Sequence, residues 1–66
     1  MRLTVNGNSR SFSDELSVQA LVDTITDARR GVAVAVNGEV VPRSTWGLTR
    51  LGDGDSVEVL TAAQGG

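Results

Sequence analysis

The sequence predicts an α+β domain, a mixed sheet of about five strands with one helix crossing a face. Three segments alternate apolar and polar or small side chains with a period of two, at residues 2–5, 32–36 and 57–60, as strands do. One segment, residues 18–25, has its apolar residues at helical spacing. Runs of strands interrupted by a single helix are typical of α+β domains.

The first half of the chain predicts a hairpin followed by the helix. Leu3 and Val5 alternate with polar neighbours, and the Asn6-Gly7 pair that follows is a strong hairpin signal, because both residues tolerate a positive φ. The return strand is expected over residues 8–12. Its polar composition is that of an edge strand.

The helix is expected to begin after Ser17, a good N-cap residue. Arg29 and Arg30 suit the negative end of the helix dipole and Gly31 suits the position after the last turn, which places the predicted end near residue 30. The helix should connect two parallel, central strands. Its core-facing stripe is Val18, Leu21, Val22 and Ile25.

The second half predicts three strands. Residues 32–36 form the first, and Asn37-Gly38 turns the chain into a short strand at 39–41 that Pro42 ends. Residues 43–51 are expected as a loop or helical turn, residues 52–55 as a turn, and residues 57–60 as the last strand. The domain then covers residues 1–61, with a flexible tail at 62–66. The predicted core is Leu3, Val5, Val18, Leu21, Val22, Ile25, Val34, Val36, Leu51, Val57 and Val59.

Composition narrows the chemistry available to the side chains. The 66 residues include no cysteine, histidine or lysine, so thiolate, imidazole and Schiff-base chemistry are excluded. A net charge of -2 argues against nucleic acid as a partner. The longest apolar run has five residues, too few to cross a membrane, and the first residues lack a signal-peptide pattern. We therefore expect a cytoplasmic protein that binds neither nucleic acid nor membrane.

Two side-chain features have structural explanations that outweigh functional ones. Trp46 is expected to cover one end of the core rather than to stack on a ligand. The Gly-Asp-Gly-Asp run at residues 52–55 lacks the further ligands of a calcium loop and is expected to be a plain turn.

A surface patch is predicted from the strand period. If the valines of residues 32–36 point at the helix, Ala33 and Ala35 must point away, and Leu60 must point away in the last strand. The result is a small apolar patch on the open face of the sheet, leading towards the tail. Such patches often mark binding sites for partners.

The Gly65-Gly66 pair is the remaining candidate site. An α-carboxylate is ionised at neutral pH, and two residues without a Cβ can thread a channel that other residues would block. A carboxylate at the end of such a tail is well placed to enter another protein's active site and attack the α-phosphate of ATP.

Four segments together are specific enough to suggest a family: LTVNG at 3–7, SVQALV at 17–22, VAVNGEVVPRSTW at 34–46 and LGDGDSVEVLTAAQGG at 51–66. With them the sequence resembles the ThiS family, sulfur carrier proteins of thiamine biosynthesis with the ubiquitin-like β-grasp fold. The resemblance implies a carrier that is not itself an enzyme and binds no cofactor.

The same resemblance implies the partners and the reacting residue. An E1-like adenylyltransferase (ThiF-like) would use ATP and Mg to adenylate Gly66, with Gly65 as spacer. A sulfur-donor system fed by a cysteine desulfurase would convert the adenylate to a thiocarboxylate for a thiazole synthase (ThiG-like). The residues expected to contact partners are Ala33, Ala35, Leu60, Ala62, Ala63 and Gln64.

Three alternatives share parts of this pattern. The small subunit of molybdopterin synthase is a β-grasp sulfur carrier with the same terminal chemistry. A ubiquitin-like tag would join its terminus to lysines of other proteins. A β-grasp interaction module would have an inert tail.

Overall fold

The computed structural model describes residues 1–62. In order along the chain, the elements are β1 (Arg2–Val5), β2 (Asn8–Ser11), α1 (Val18–Ile25), β3 (Val32–Val36), β4 (Glu39–Val40), a 3-10 helix (Arg43–Thr45) and β5 (Ser56–Thr61). The five strands form one sheet in the order β2-β1-β5-β3-β4. β1 and β5 run parallel, and the other neighbouring pairs run antiparallel. The predicted mixed five-stranded sheet with one helix is confirmed.

Both Asn-Gly pairs form the tight turns that the sequence predicts. Asn6 and Gly7 have φ of +50° and +84°, and Asn37 and Gly38 have φ of +51° and +85°. Positive φ at both central residues defines the turn that matches strand twist, and asparagine and glycine tolerate it. The turns fix the register of β1 with β2 and of β3 with β4.

The helix begins where predicted and ends earlier. The Ser17 hydroxyl accepts a hydrogen bond from Ala20 N–H at 3.1 Å. The helix was expected to reach Arg30, but it ends at Ile25, because Thr26 is extended with φ of -147° and ψ of 150°. Thr26 Oγ1 accepts a bond from Ala28 N–H, and three successive β-branched residues at 24–26 resist helical geometry. Gly31 does have a left-handed φ of +70°, but it leads into β3 instead of capping the helix.

The helix connects strands that are not both central, which corrects a second expectation. It follows β2, an edge strand, and precedes β3, which lies one strand from the opposite edge. The parallel central pair is β1 and β5. No local pattern in the sequence predicts this strand order, since it depends on the insertion of the last strand, β5, between β1 and β3.

The core lies between the helix and one face of the sheet. Nine predicted core residues are buried, and Trp46 joins them at 2% exposure. Ile25 and Val36 were predicted to be buried but are half-buried at the edge of the core. Each is the last residue of its element, so solvent reaches one side of it.

Trp46 covers the core, as the sequence predicts, and it also contacts the loop around it. Its indole N–H donates to Val41 O at 2.9 Å, and Arg43 lies over its ring at 5.2 Å from the centroid. Carbonyl groups of the same loop accept bonds from the first turn of the helix: Val18 N–H donates to Thr49 O and Gln19 N–H to Trp46 O. These bonds satisfy amides that a helix N-terminus would otherwise leave without partners.

The turn at residues 52–55 is held by its own carboxylates. Asp55 accepts a bond from Gly52 N–H at 2.7 Å, and Asp53 accepts one from Arg2 N–H at 2.6 Å. The predicted turn is confirmed, and both side chains bind backbone amides. Separately, no helix within residues 1–62 is long and apolar enough to cross a membrane.

Truncation of Leu21 tests this core. Leu21 is fully buried in the helix stripe, so Leu21→Ala leaves a cavity and should lower the free energy of unfolding by about 2–5 kcal/mol. Chemical denaturation measures the change. The matched control is Leu48→Ala, because Leu48 is 83% exposed and its loss should change stability by less than about 0.5 kcal/mol. Equal effects of the two substitutions would contradict the assigned core.

Candidate functional site: the open sheet face and the base of the tail

The open face of the sheet carries the predicted apolar patch. Leu60 is 66% exposed, and it pairs across the sheet with Ala33. Ala35 lies on the same face, since residues two apart in a strand share a face. A small depression of about 80 Å³ lies among these side chains. The structure therefore brings Ala33, Ala35 and Leu60 together, as the period of the strands predicts.

The patch has a member that the sequence analysis missed. Val40 in β4 is 73% exposed, pairs directly with Ala35 and lines the same depression. The signal was present in the sequence: a two-residue Asn-Gly turn pairs the residues flanking it, so Val40 must lie opposite Ala35. We refer to Ala33, Ala35, Val40 and Leu60 as the open-face patch.

One acidic residue borders the patch. Glu58 lies two residues before Leu60 in β5, pairs with Ala35 and contributes to the lining of the depression. The strands on the other side of β5 present polar residues to this face, including Thr4 of β1, which pairs with Ser56. The apolar surface is thus confined to the β5, β3 and β4 half of the sheet, beside the end of the last strand.

The base of the tail is attached more firmly than the sequence suggests. The flexible tail was expected to begin at residue 62, but Ala62 N–H donates to Gly31 O at 2.6 Å. The antiparallel register of β3 with β5, which pairs Val32 with Thr61, simply continues by one residue. The predicted sites Ala63, Gln64, Gly65 and Gly66 lie outside the described residues.

Gly31 meets Ala62 at close range. A Cβ placed on Gly31 would lie 2.8 Å from the Ala62 Cβ, closer than real Cβ atoms approach. Glycine is therefore required here twice, by the positive φ and by the contact with the residue that begins the tail.

A second depression, a groove on the helix side of the molecule, is mainly polar, unlike the apolar depression on the open face. It has a volume of about 560 Å³ and is lined mainly by polar and charged residues of the helix end and the 26–29 connection, with Arg43 and Trp46 opposite. Trp46 offers little surface to a ligand, since it is 2% exposed. Among the described residues, the apolar surface next to β5 is the better candidate for binding a protein.

Comparison with known proteins places the chain among small sulfur carriers. A sequence model of the ThiS family matches residues 3–66. The sulfur carrier protein ThiS of Escherichia coli K12 is 26% identical over 66 residues, and the match covers all of both chains. A thiazole synthase of Paramagnetospirillum magneticum is 38% identical over 66 residues. The chain spans only 20% of the length of that enzyme.

A solved structure agrees with the fold. The crystal structure of the thiamine biosynthesis protein ThiS from Geobacter metallireducens superposes with a TM-score of 0.82 at 38% identity, and all of both chains is covered. The fold is therefore the ubiquitin-like β-grasp, in which a mixed sheet wraps around one helix.

Gly31 allows a direct test of the geometry at the base of the tail. Alanine in the left-handed region costs about 1–2 kcal/mol, so Gly31→Ala and Gly7→Ala should share that loss of stability. Gly7 has φ of +84° and open space around it, which makes it the matched control. The clash with Ala62 should add about 1 kcal/mol or more to the loss in Gly31→Ala. It should also speed hydrogen exchange of the Ala62 amide. Equal losses and unchanged exchange at Ala62 would show that the contact is absent in solution.

Proposed function

This chain belongs to the ThiS family of sulfur carrier proteins of thiamine biosynthesis, and from that membership we propose that it carries sulfur as a thiocarboxylate on Gly66. The observation that carries the proposal is the family match, which runs from residue 3 through the Gly-Gly pair at 65–66. The composition is compatible with it, since the 66 residues include no cysteine thiol on which sulfur could be carried.

The chemistry begins with activation of that carboxylate. One of its oxygens attacks the α-phosphorus of ATP, pyrophosphate leaves, and an acyl-adenylate forms. A persulfide of the sulfur donor then attacks the acyl carbon and AMP leaves, because AMP is a far better leaving group than the oxygen of a free carboxylate. A thiol then cleaves the S–S bond of the resulting acyl disulfide, which releases the thiocarboxylate and leaves the thiol oxidised in a new disulfide. A ThiF-like adenylyltransferase would supply the ATP and Mg site, and a cysteine desulfurase would feed the sulfur donor. In this scheme the chain is a protein substrate without a cofactor of its own and acts in the cytoplasm.

The Gly-Gly pair gives the carboxylate access to a closed active site. Residues without a Cβ leave the narrowest possible chain, so a partner can enclose the tail and exclude water from the adenylate. Gly65 acts as the spacer in this arrangement, and Ala62, Ala63 and Gln64 would contact the partner along the channel. Ala62 would then mark the point at which the chain leaves the sheet, since its amide still bonds to Gly31.

The open-face patch would dock the carrier on its partners. Leu60 and Val40 are exposed apolar side chains on the half of the sheet from which the tail departs. A shared surface suits a carrier that must leave the activating enzyme before it can bind the enzyme that consumes the sulfur. We propose that a ThiF-like and a ThiG-like protein cover this patch in turn.

The comparisons favour thiazole synthase as the sulfur acceptor. The Paramagnetospirillum protein that matches the whole of this chain over a fifth of its own length is itself named a thiazole synthase. In that protein a ThiS-like segment and the synthase belong to one polypeptide. Molybdopterin synthesis and protein tagging are the alternatives, and they predict a different acceptor or a branched conjugate to lysine.

Deletion of Gly66 tests the reacting group. The shortened chain should keep its melting temperature, since the core that the structure describes is built from residues between Met1 and Val59. Its carboxylate would end up to about 3.6 Å short of the adenylation site, and a misplacement of about 1 Å can already cost a hundredfold in rate. ATP-dependent adenylation by the cognate activating enzyme should therefore be abolished.

Gly65→Val provides the complementary variant, because it keeps the chain length and adds bulk to the tail. It should also block adenylation while leaving stability unchanged. If the chain without Gly66 is adenylated as fast as the complete sequence, the carboxylate of Gly66 is not the reacting group and the proposal is wrong.

Leu60→Glu tests the docking surface. The side chain is mostly exposed, so the fold should persist, while a charge at the centre of the open-face patch should weaken binding to both partners by about tenfold or more. Titration calorimetry with each partner measures this. Leu48→Glu is the matched control, since Leu48 is an exposed leucine outside the patch. Unchanged affinity of Leu60→Glu for either partner would contradict a shared surface.

A further inference from the structure

The side chain of Asn6 occupies a position in the sheet that a strand residue would normally fill. Asn6 Oδ1 accepts a hydrogen bond from Val59 N–H at 2.8 Å, and Asn6 Nδ2 donates to Val59 O at 3.2 Å. The backbone N–H of Asn6 donates to Val57 O at 2.9 Å. Asn6 therefore binds Val57 with its main chain and Val59 with its carboxamide. Both backbone positions lie on the same edge of β5.

The carboxamide is needed because β1 stops before β5 does. The parallel pairing of β1 with β5 ends at Val5 and Val57, and the chain turns away at Asn6 and Gly7. Val59 directs its N–H and C=O towards the edge that β1 has left, since backbone groups two residues apart in a strand point the same way. The Val59 side chain is buried at 5% exposure, so its backbone could not turn towards water without disturbing the core.

Val59 is also the last residue of β5 bonded on this edge before the strand leads out to the tail. Beyond it, Leu60 pairs with Ala33 and Thr61 with Val32 on the β3 side, and Ala62 N–H donates to Gly31 O. A strand held on both edges has a fixed direction, whereas a strand held on one edge can swing away from the other. The two bonds to Asn6 thus determine where two-sided pairing of β5 ends.

The chain contains an internal comparison for this arrangement. Asn37 occupies the same position in the second Asn-Gly turn, with nearly the same φ, and its side chain also binds β5. Asn37 Oδ1 accepts from Ser56 N–H at 2.9 Å, and Nδ2 donates to Asp55 Oδ1 at 3.0 Å. Asn37 therefore holds the beginning of β5, far from the tail, whereas Asn6 holds its later part.

We propose that Asn6 is a positioning residue for the sulfur-carrying terminus. By holding Val59 on the β1 side, it fixes the direction in which β5 delivers residues 63–66 to the active site of a partner. The inference rests on the proposed function, since delivery has a purpose only if the terminus reacts. The proposal assigns a role to a residue that is far from the terminus in sequence. Asn6 binds the β1-side edge of β5, and β3 pairs with the opposite edge.

The test compares Asn6→Gly with Asn37→Gly. Glycine keeps the positive φ of each turn and removes only the side chain. In Asn6→Gly, hydrogen exchange of the Val59 amide, measured by NMR, should be faster by up to about tenfold, because its acceptor is lost. In Asn37→Gly the Ser56 amide should respond instead, and Val59 should be unchanged.

The functional measurement is steady-state adenylation of each variant by the cognate activating enzyme. Asn6→Gly should lower kcat by about tenfold, since displacement of a reacting group by about 1 Å is costly. Its KM should stay within about twofold, because the open-face patch that carries docking is intact. Asn37→Gly should retain the kcat of the unmodified chain. A loss of stability alone would not separate the two variants in this way while both are folded at the assay temperature.

Asn6→Asp is the conservative variant, and it also serves if Asn6→Gly does not fold. Aspartate tolerates the turn conformation and can accept from Val59 N–H, but it cannot donate to Val59 O, so its kcat should be intermediate. Normal kcat in both Asn6 variants, or equal losses in Asn6→Gly and Asn37→Gly, would overturn the proposal. If the unmodified chain is not adenylated at all, the proposed function fails. Faster exchange at Val59 would in that case show that Asn6 is a structural clamp and no more.

Discussion

The insertion of β5 between β1 and β3 is the constraint on which the rest of the structure depends. It completes the sheet, and it buries Val57 and Val59 under the helix. Both Asn-Gly turns place their asparagine side chains on this strand, so the two hairpins are joined through it. Because β5 is central, its last residue, Thr61, lies in the middle of the sheet. The open-face patch lies beside this end of β5, so the proposed docking surface and the base of the tail are adjacent without any further element.

Local features of the fold could be predicted because the physical cause lies within a few residues. The two tight turns follow from Asn-Gly pairs, the start of the helix from Ser17, and the buried stripe from apolar spacing. The end of the helix was predicted wrongly, although part of its cause, the β-branched run at residues 24–26, is local. Arg29, Arg30 and Gly31 form a plausible terminus, but the chain must cross to the far side of the sheet to begin β3, and the extended Thr26 starts that crossing.

The candidate site shows the same division between local and long-range information. Strand period alone predicts that Ala33, Ala35 and Leu60 share one face, and the register agrees. The two-residue Asn-Gly turn also predicts that Val40 lies opposite Ala35. The bonds of Asn6 to Val59 and of Ala62 to Gly31 join residues far apart in the chain. They depend on which strands are neighbours, and no spacing in the sequence encodes that. The reacting role of Gly66 was predicted from its chemistry and from resemblance to a family, and it stays a prediction, since position 66 lies outside the described residues.

The proposed function assigns binding and positioning to the folded part and the reaction to the terminus. Its central claim is that sulfur is carried on the carboxyl group of Gly66, and intact-mass spectrometry of the protein tests this most directly. Incubation with ATP, Mg, the activating enzyme and the sulfur-donor system should raise the mass by the difference between sulfur and oxygen. Fragmentation should locate that gain at the last residue. An unchanged mass under conditions in which AMP and pyrophosphate are released, or a gain located at any other residue, would contradict the account.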